Sequence, residues 1–386
     1  MSKQGNLLVL DAGTTAVKAL VFSPELTLLA SATRPTVTHQ PHLGWAEQDA
    51  TAYADLAEAV LREVASVGQV HAMAITNQRE SVVAWDEVTN APLAPMLLWQ
   101  DERTADRMQC FAKDRAWIRE RTGLDITPYF SASKLEWLLA TSPDVQVAQA
   151  AGRLRIGTVD SWLLARLTEE RRHVTDPTNA ARTLLYDIRT EHWDDELALS
   201  FHLPLDLLPT VQPTRSDFGT LRTDLVGSPV PVRVVIGDQQ ASLAAAGFAV
   251  GTTTVTHGTG TFLVQALGSH FILVPDAFTT LAASETGTQF ALEVRVGEYA
   301  RRVDTLLSQG QDLAPVLEEI ASATDTALAR LPMPPSELVV TGGISQDARL
   351  VRMHAERSGL SVRTYATYHG TALGAARLVR DAPKNY

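Results

Sequence analysis

Short, unbroken apolar runs that end in polar clusters recur along this chain. Residues 7–10 are all apolar, Asp11 and the turn Ala12-Gly13-Thr14-Thr15 follow, and a second apolar run covers residues 19–22. Runs this short predict strands buried on both faces, so the stretch reads as strand, tight polar turn, strand. Residues 70–75 run into Asn77-Gln78-Arg79-Glu80, ahead of another strand at 82–85, and residues 232–236 end in Gly237-Asp238-Gln239-Gln240. Residues 252–256 enter His257-Gly258-Thr259-Gly260-Thr261, residues 262–267 leave it, and 338–340 lead into Thr341-Gly342-Gly343. A further strand is predicted at 154–157.

Helical periodicity fills the intervals. Residues 51–67 place Tyr53, Leu56, Ala57, Val60 and Leu61 on one stripe, with Asp49 as cap and Gly68 as stop. Helices are also predicted at 159–167, 241–248, 313–331 and 370–379, the last with Gly374 permitting close packing. Trp99-Gln100-Asp101 reads as the opening of a charged helix, and Pro128-Tyr129-Phe130 precedes another from Ser131. Residues 175–183, TDPTNAART, are dense in donors and acceptors and predict a loop, either packed near a site or exposed to solvent. Prolines from 204 to 231 punctuate connections, so the domain boundary is expected near residue 230, giving domains 1–230 and 231–386.

A polar cluster at the end of a buried strand is where open α/β sheets hold ligands. In the first turn Gly13 lets the backbone approach a ligand, Thr14 and Thr15 offer N–H and hydroxyl donors to an anion, and Asp11 supplies a carboxylate for a hard cation. A magnesium-bound nucleotide needs that set, although an ordinary hairpin with an Asp and a Gly has the same letters. The unit at 252–267 echoes 11–22, and two similar loops can grip phosphates from two sides.

Composition narrows the picture. The 386 residues suffice for two or three domains, and 45% hydrophobic with 20% charged residues are the proportions of a globular protein. The net charge of −11, with acids and bases mixed along the chain, argues against nucleic acid or an anionic membrane as partner. The lone cysteine, Cys110, excludes an internal disulfide and a Cys-rich zinc site, and no apolar run has leader or spanning length, so a cytoplasmic location is expected. Ser131-Ala132-Ser133-Lys134 fits S-x-x-K, but no K-T-G accompanies it, and a helix start is the better account. The G-x-x-x-x-G-K-[ST], G-x-S-x-G, H-E-x-x-H and G-x-G-x-x-G patterns are absent.

Taken in order, DAGTT, NQRE with WQDERT, PYFS, TDPTNAART, GDQQ, HGTGTF, TGG and TALGAA resemble the FGGY carbohydrate kinases along most of the chain, with the glycerol kinase branch as nearest likeness. The resemblance implies two actin-like ATPase (ribonuclease H-like) α/β domains with a ligand cleft between them. It also implies ATP and Mg²⁺ as cofactors, phosphorylation of a terminal hydroxyl of a small polyol or sugar, and a homodimer or homotetramer. By resemblance Asp11 is the acid that binds Mg²⁺, Asp238 the catalytic base, and Thr14, Thr15 and Lys18 face the phosphates. Lys18 stands where that branch typically carries Arg. Arg79, Glu80, Trp99, Tyr129, Asp238, Gln239 and Phe262 match polyol-holding positions. Gly258 and Thr259 match phosphate and nucleotide contacts, Gly342 and Gly343 border adenosine, and Asp347 stands where the family often has Asn. A strand and loop usual in the family are missing between Leu306 and the final TGG, so the second domain is expected to be short. Erythritol, ribulose and xylulose are alternative acceptors within the family, and binding of nucleotide or sugar without turnover is the non-enzymatic alternative.

Overall fold

Strand β1 (Asn6–Ala12) lies inside a six-stranded sheet, which is why Leu8, Val9 and Leu10 are fully buried. β2 (Ala16–Phe22) returns antiparallel beside it, setting Lys18 directly opposite Asp11, and β3 (Leu28–Pro35) continues the meander. Helix α1 (Ala50–Val64) follows; Asp49 caps it by accepting from the Thr51 and Ala52 amides, and Tyr53, Ala57, Val60 and Leu61 join the core. On the other side of β1, β4 (Val70–Asn77) runs parallel to it and β5 (Val230–Gly237) parallel to β4. In register, Ala12 faces Asn77 and Asn77 faces Gly237. Three parallel strands therefore end together, and their polar sequels meet at one edge of the sheet.

The computed structural model describes residues 5–258, 260–283 and 287–382. The chain divides into two compact units, residues up to Asp238 together with those from Ala375, and Gln239–Gly374. β5, which the apolar pattern assigns to the start of the second domain, pairs with β4 inside the first sheet, with Thr220–Leu221 as the edge strand beyond it, and the compact units divide after Asp238.

The second unit starts with helix α2, which Asp238 opens (Asp238–Ala246). β6 (Thr252–His257) and β7 (Thr261–Gly268) form a hairpin extended by β8 (Phe278–Leu281) and β9 (Phe290–Gly297), in the order β8-β9-β7-β6. Helix α3 (Ala314–Leu328) precedes β10 (Glu337–Gly342), which runs parallel to β6. Helix α4 (Ala348–Ser358) leads to a short edge strand, Val362–Arg363, and α5 (Gly370–Arg380) ends the described chain. A Cβ at Gly374 would fall 1.8 Å from the Ala241 carbonyl oxygen, so glycine is what lets α5 press on α2, as expected.

The apolar pattern does not mark β3, β8, β9 or α4. It also assigns a helix opening at Trp99 that is absent there: Trp99 to Asp101 is a turn, and helix begins only at Ala105–Gln109, followed by Arg115–Thr122. The buried Asp101 carboxylate accepts the Ala46 amide at 2.7 Å and the Arg103 amide at 3.0 Å, a side-chain alternative that competes with helical backbone bonding. Among the described residues no helix is long and apolar enough to cross a membrane.

Candidate functional site

The turn between β1 and β2 is pinned from one side. The Gly13 carbonyl accepts from the Tyr53 hydroxyl at 3.0 Å, and the Thr14 carbonyl from Gln48 Nε2 at 2.8 Å and Thr36 Oγ1 at 2.5 Å. The Thr15 carbonyl accepts from the Thr36 amide at 3.0 Å. In a planar trans peptide the N–H points away from the carbonyl before it, so the Thr14, Thr15 and Ala16 amides are directed to the other side. Backbone amides on such a turn are candidate donors to an anion, an amide nest. The Thr14 side chain is buried, accepting from Trp99 Nε1 at 2.8 Å and donating to Gln78 Oε1 at 3.1 Å. The Thr14 hydroxyl is thus engaged inside the protein, while Thr15 is exposed.

Asp11, at the end of β1, is 14% exposed and 3.7 Å from Lys18 Nζ. Burial pushes its carboxyl above the ordinary range, and Lys18 pulls it back. A desolvated carboxylate at the rim of an amide nest suits Mg²⁺, which takes one or two carboxylates and fills its remaining positions with waters and phosphate oxygens. The described residues hold no cluster of three His, Cys, Asp or Glu side chains able to cage a metal by themselves. Asp11 thus fits as a single protein anchor for a phosphate-bound cation.

Beside this turn, Arg79 Nε donates to Asp238 Oδ1 at 3.1 Å, with Arg79 buried and Asp238 29% exposed. Glu80 has φ +63°, and the Ser81 amide donates to the Arg79 carbonyl at 2.8 Å, a γ-turn with a non-glycine residue in left-handed backbone. Such a conformation costs about 1–3 kcal/mol and persists only where the surroundings enforce it. Here the enforcing contacts are Ser131 Oγ on the Glu80 carbonyl at 3.1 Å and Arg182 Nε on Glu80 Oε1 at 2.5 Å. Trp99 and Tyr129 meet edge to face at 5.5 Å, making an aromatic wall in the same unit.

Three residues that support this arrangement carry no expected role. Arg182 is fully buried against Glu80. Lys134, from the discarded S-x-x-K match, is buried and donates to the Pro128 and Tyr129 carbonyls at 2.9 and 2.7 Å; burial pulls its amine down to about 7 against the attraction of Glu80 and Asp101. Asp176 is fully buried, accepting from Thr214 at 2.6 Å and capping the turn that holds Thr178 and Asn179. Thr178 Oγ1 accepts the Gly237 amide at 2.8 Å, and Asn179 Oδ1 accepts Asn77 Nδ2 at 2.9 Å. The 175–183 segment thus ties together the ends of β4 and β5, which is how a stretch so poor in apolar residues comes to be packed.

In the second unit Gln239 and Phe262 are buried, Gly258 is exposed, and Thr259 lies outside the described residues. Gly342 has φ +90° and an added Cβ there would fall 2.2 Å from the His257 carbonyl oxygen, whereas Gly343 faces open space. Asp347 caps α4 through the Arg349 amide at 2.9 Å, and the Arg349 guanidinium, 2.8 Å away, holds its carboxyl below the ordinary range. Its extra negative charge relative to Asn is therefore balanced locally.

A glycerol kinase of Gluconobacter oxydans (strain 621H) is 40% identical over 302 residues, 76% of this chain and 59% of that protein. A glycerol kinase of Leptothrix cholodnii is 40% identical over 74% of this chain and 60% of its own length. The chain thus spans about three fifths of the length of these curated relatives. Among solved structures, Plasmodium falciparum glycerol kinase with ADP superposes with a TM-score of 0.86 at 24% identity, covering 96% of this chain and 88% of that one. A ligand-bound xylulose kinase from Lactobacillus acidophilus superposes at 0.82 and 19%, covering 98% and 89%. These two establish the mixed α/β actin-like fold. Residues 6–245, which include the pinned turn, the Arg79–Asp238 pair and the aromatic wall, match the N-terminal domain of the FGGY family of carbohydrate kinases, and the chain belongs to that family.

Proposed function

We propose that this protein transfers the γ-phosphoryl group of ATP to a terminal hydroxyl of a small polyol or sugar, with glycerol or a close analogue as acceptor. The observation that carries this reading is the meeting, at one sheet edge, of the amide nest with Asp11 and the Arg79–Asp238 pair, in one unit with an aromatic wall. Phosphoryl transfer asks chiefly for positioning and charge neutralisation. The Thr14 and Thr15 amides and Lys18 would hold phosphate oxygens, and Asp11 would hold Mg²⁺. When bound, that ion supplies neutralisation of phosphate charge.

Asp238 would take the proton from the attacking hydroxyl as the bond to phosphorus forms, with Arg79 fixing its carboxylate. Glu80 and Arg79 would accept from and donate to vicinal hydroxyls, while Trp99 and Tyr129 cover the carbon skeleton. By the family resemblance, Gln239 and Phe262 would contact polyol, and Gly258, Thr259, Gly342, Gly343 and Asp347 nucleotide. Binding of nucleotide or sugar without turnover is the alternative reading.

The test is ATP consumption with Mg²⁺ against glycerol, erythritol, ribulose and xylulose. Consumption highest with glycerol is expected. Consumption highest with a ketose would move the acceptor assignment, and ATP binding with no turnover on any of the four would establish the binder.

A further inference from the structure

The polar atoms beneath the first turn close on themselves. Trp99 Nε1 donates to Thr14 Oγ1 at 2.8 Å, Thr14 Oγ1 donates to Gln78 Oε1 at 3.1 Å, Ser81 Oγ donates to the same Gln78 oxygen at 2.9 Å, and the Trp99 amide donates to Ser81 Oγ at 3.0 Å. The four side chains are between 0% and 8% exposed, so water is a poor substitute partner for any of these bonds. The orientation of the Gln78 amide follows from its surroundings: two hydroxyls donate to its oxygen, while its nitrogen donates to the Tyr53 hydroxyl at 3.3 Å, which in turn donates to the Gly13 carbonyl. Two arms leave Trp99, one from its indole through Thr14 and one from its amide through Ser81, and converge on Gln78 Oε1. Buried networks of this kind move as a unit or lose several bonds at once.

Thr14 belongs to the amide nest and Trp99 to the aromatic wall. Their hydrogen bond makes the phosphate turn and the wall one object. We propose that the Thr14–Gln78–Ser81–Trp99 ring couples the two ligands of the site, so that nucleotide on the turn fixes the Trp99 indole and raises affinity for the polyol against it, with Gln78 and Ser81 as positioning residues. This rests on the kinase reading above. The coupling is reciprocal, and polyol on the wall tightens nucleotide by the same factor. The hydroxyl of Thr14 carries the link, which gives that side chain a role apart from its backbone contact to phosphate.

The test is the Trp99 indole N–H resonance in protein labelled at tryptophan nitrogen, assigned from its disappearance in Trp99→Phe, together with glycerol affinity measured with and without a non-hydrolysable Mg-ATP analogue. In the wild type the analogue is expected to shift that resonance and to raise glycerol affinity about fivefold, the low end of measured couplings. Thr14→Val, nearly isosteric, should abolish both effects, and Thr14→Ser should restore them. Ser81→Ala, which opens the ring away from the turn, should reduce the coupling to less than half. If the analogue binds and shifts other resonances while Trp99 stays still, or if Thr14→Val keeps the fivefold coupling, the proposal is overturned and the kinase reading stands. If the analogue perturbs no resonance of the wild type, the kinase reading fails and the coupling falls with it.

Discussion

The hairpins β1–β2 and β6–β7 share a local arrangement, each with a parallel strand on the other side of its first member. Their turns use different materials. The first sets Asp11 3.7 Å from Lys18 and has its carbonyls bound by Tyr53, Gln48 and Thr36. The second relies on close backbone approach, with Gly342 pressed on the His257 carbonyl and two buried imidazoles, His257 and His354, stacked at 5.8 Å. The repeated scaffold is thus separable from the chemistry on it. Apolar patterning builds the sheet, and a few polar residues at strand ends decide what each copy can bind.

If the first unit depends on charge and the second on shape, removing a charge partner should hurt the one and adding a methyl group the other. Arg182→Leu strands the buried Glu80 carboxylate and should destabilise the first unit by about 3–5 kcal/mol, read as an early transition in urea unfolding; an unchanged midpoint would show that Glu80 does not depend on this partner. Gly342→Ala combines a left-handed backbone with a backbone clash and should cost about 2–3 kcal/mol in the second unit. Gly13→Ala, whose Cβ would meet only the Ala16 carbonyl oxygen, at 3.1 Å, should cost clearly less in the same assay. Arg79→Ala should raise the polyol KM about 10-fold, the size of a lost charged hydrogen bond, and leave that for ATP within about twofold. Equal effects on both constants would remove Arg79 from the polyol site.

The smallest effect is a difference in sign with pH. Burial holds the folded His257 and His354 imidazoles down to about 3 and about 4, from an ordinary 6.5. His354 raises the cost of charging His257, and around His354 Arg357 opposes the proton while Asp325 favours it. The stability from keeping these rings neutral is present above about 6.5 and is lost as pH falls toward 4. Asp11 has the opposite sense: its folded carboxyl lies above the ordinary 3.8, so the cost of its charge is absent at acid pH and appears as pH rises through that range. His354→Leu should flatten the fall in stability between pH 7 and 4, and Asp11→Asn should raise the unfolding midpoint at pH 7.

How much of this was legible beforehand follows from what each feature depends on. β1 and α1 could be placed because their burial is written as an unbroken run or a 3.6-residue stripe. β3 could not, since LLASATRP alternates between half-exposed and exposed positions at a sheet margin. β5 was visible as a strand, but its partner is more than 150 residues away in sequence, and only the pairing shows which unit owns it. Asp11, Arg79 and Asp238 stood out as polar residues at strand ends. Arg182, Lys134 and Gln48 did not, because a buried cation or amide is indistinguishable in sequence from a surface one until its acceptors are known. Tyr53 was legible as a core residue, while its hydroxyl bond to Gly13 was not.

The central claim is that Asp238 serves as base for transfer from ATP to a polyol hydroxyl. Phosphorus NMR of the wild type and Asp238→Asn, each incubated with Mg-ATP and glycerol, tests it most directly. The account predicts a phosphomonoester signal growing with ADP in the wild type, slowed about 10²–10⁴-fold in the variant, whose nucleotide affinity stays within about threefold. A phosphomonoester forming at the wild-type rate in Asp238→Asn, or none forming with the wild type although ATP binds, would contradict it.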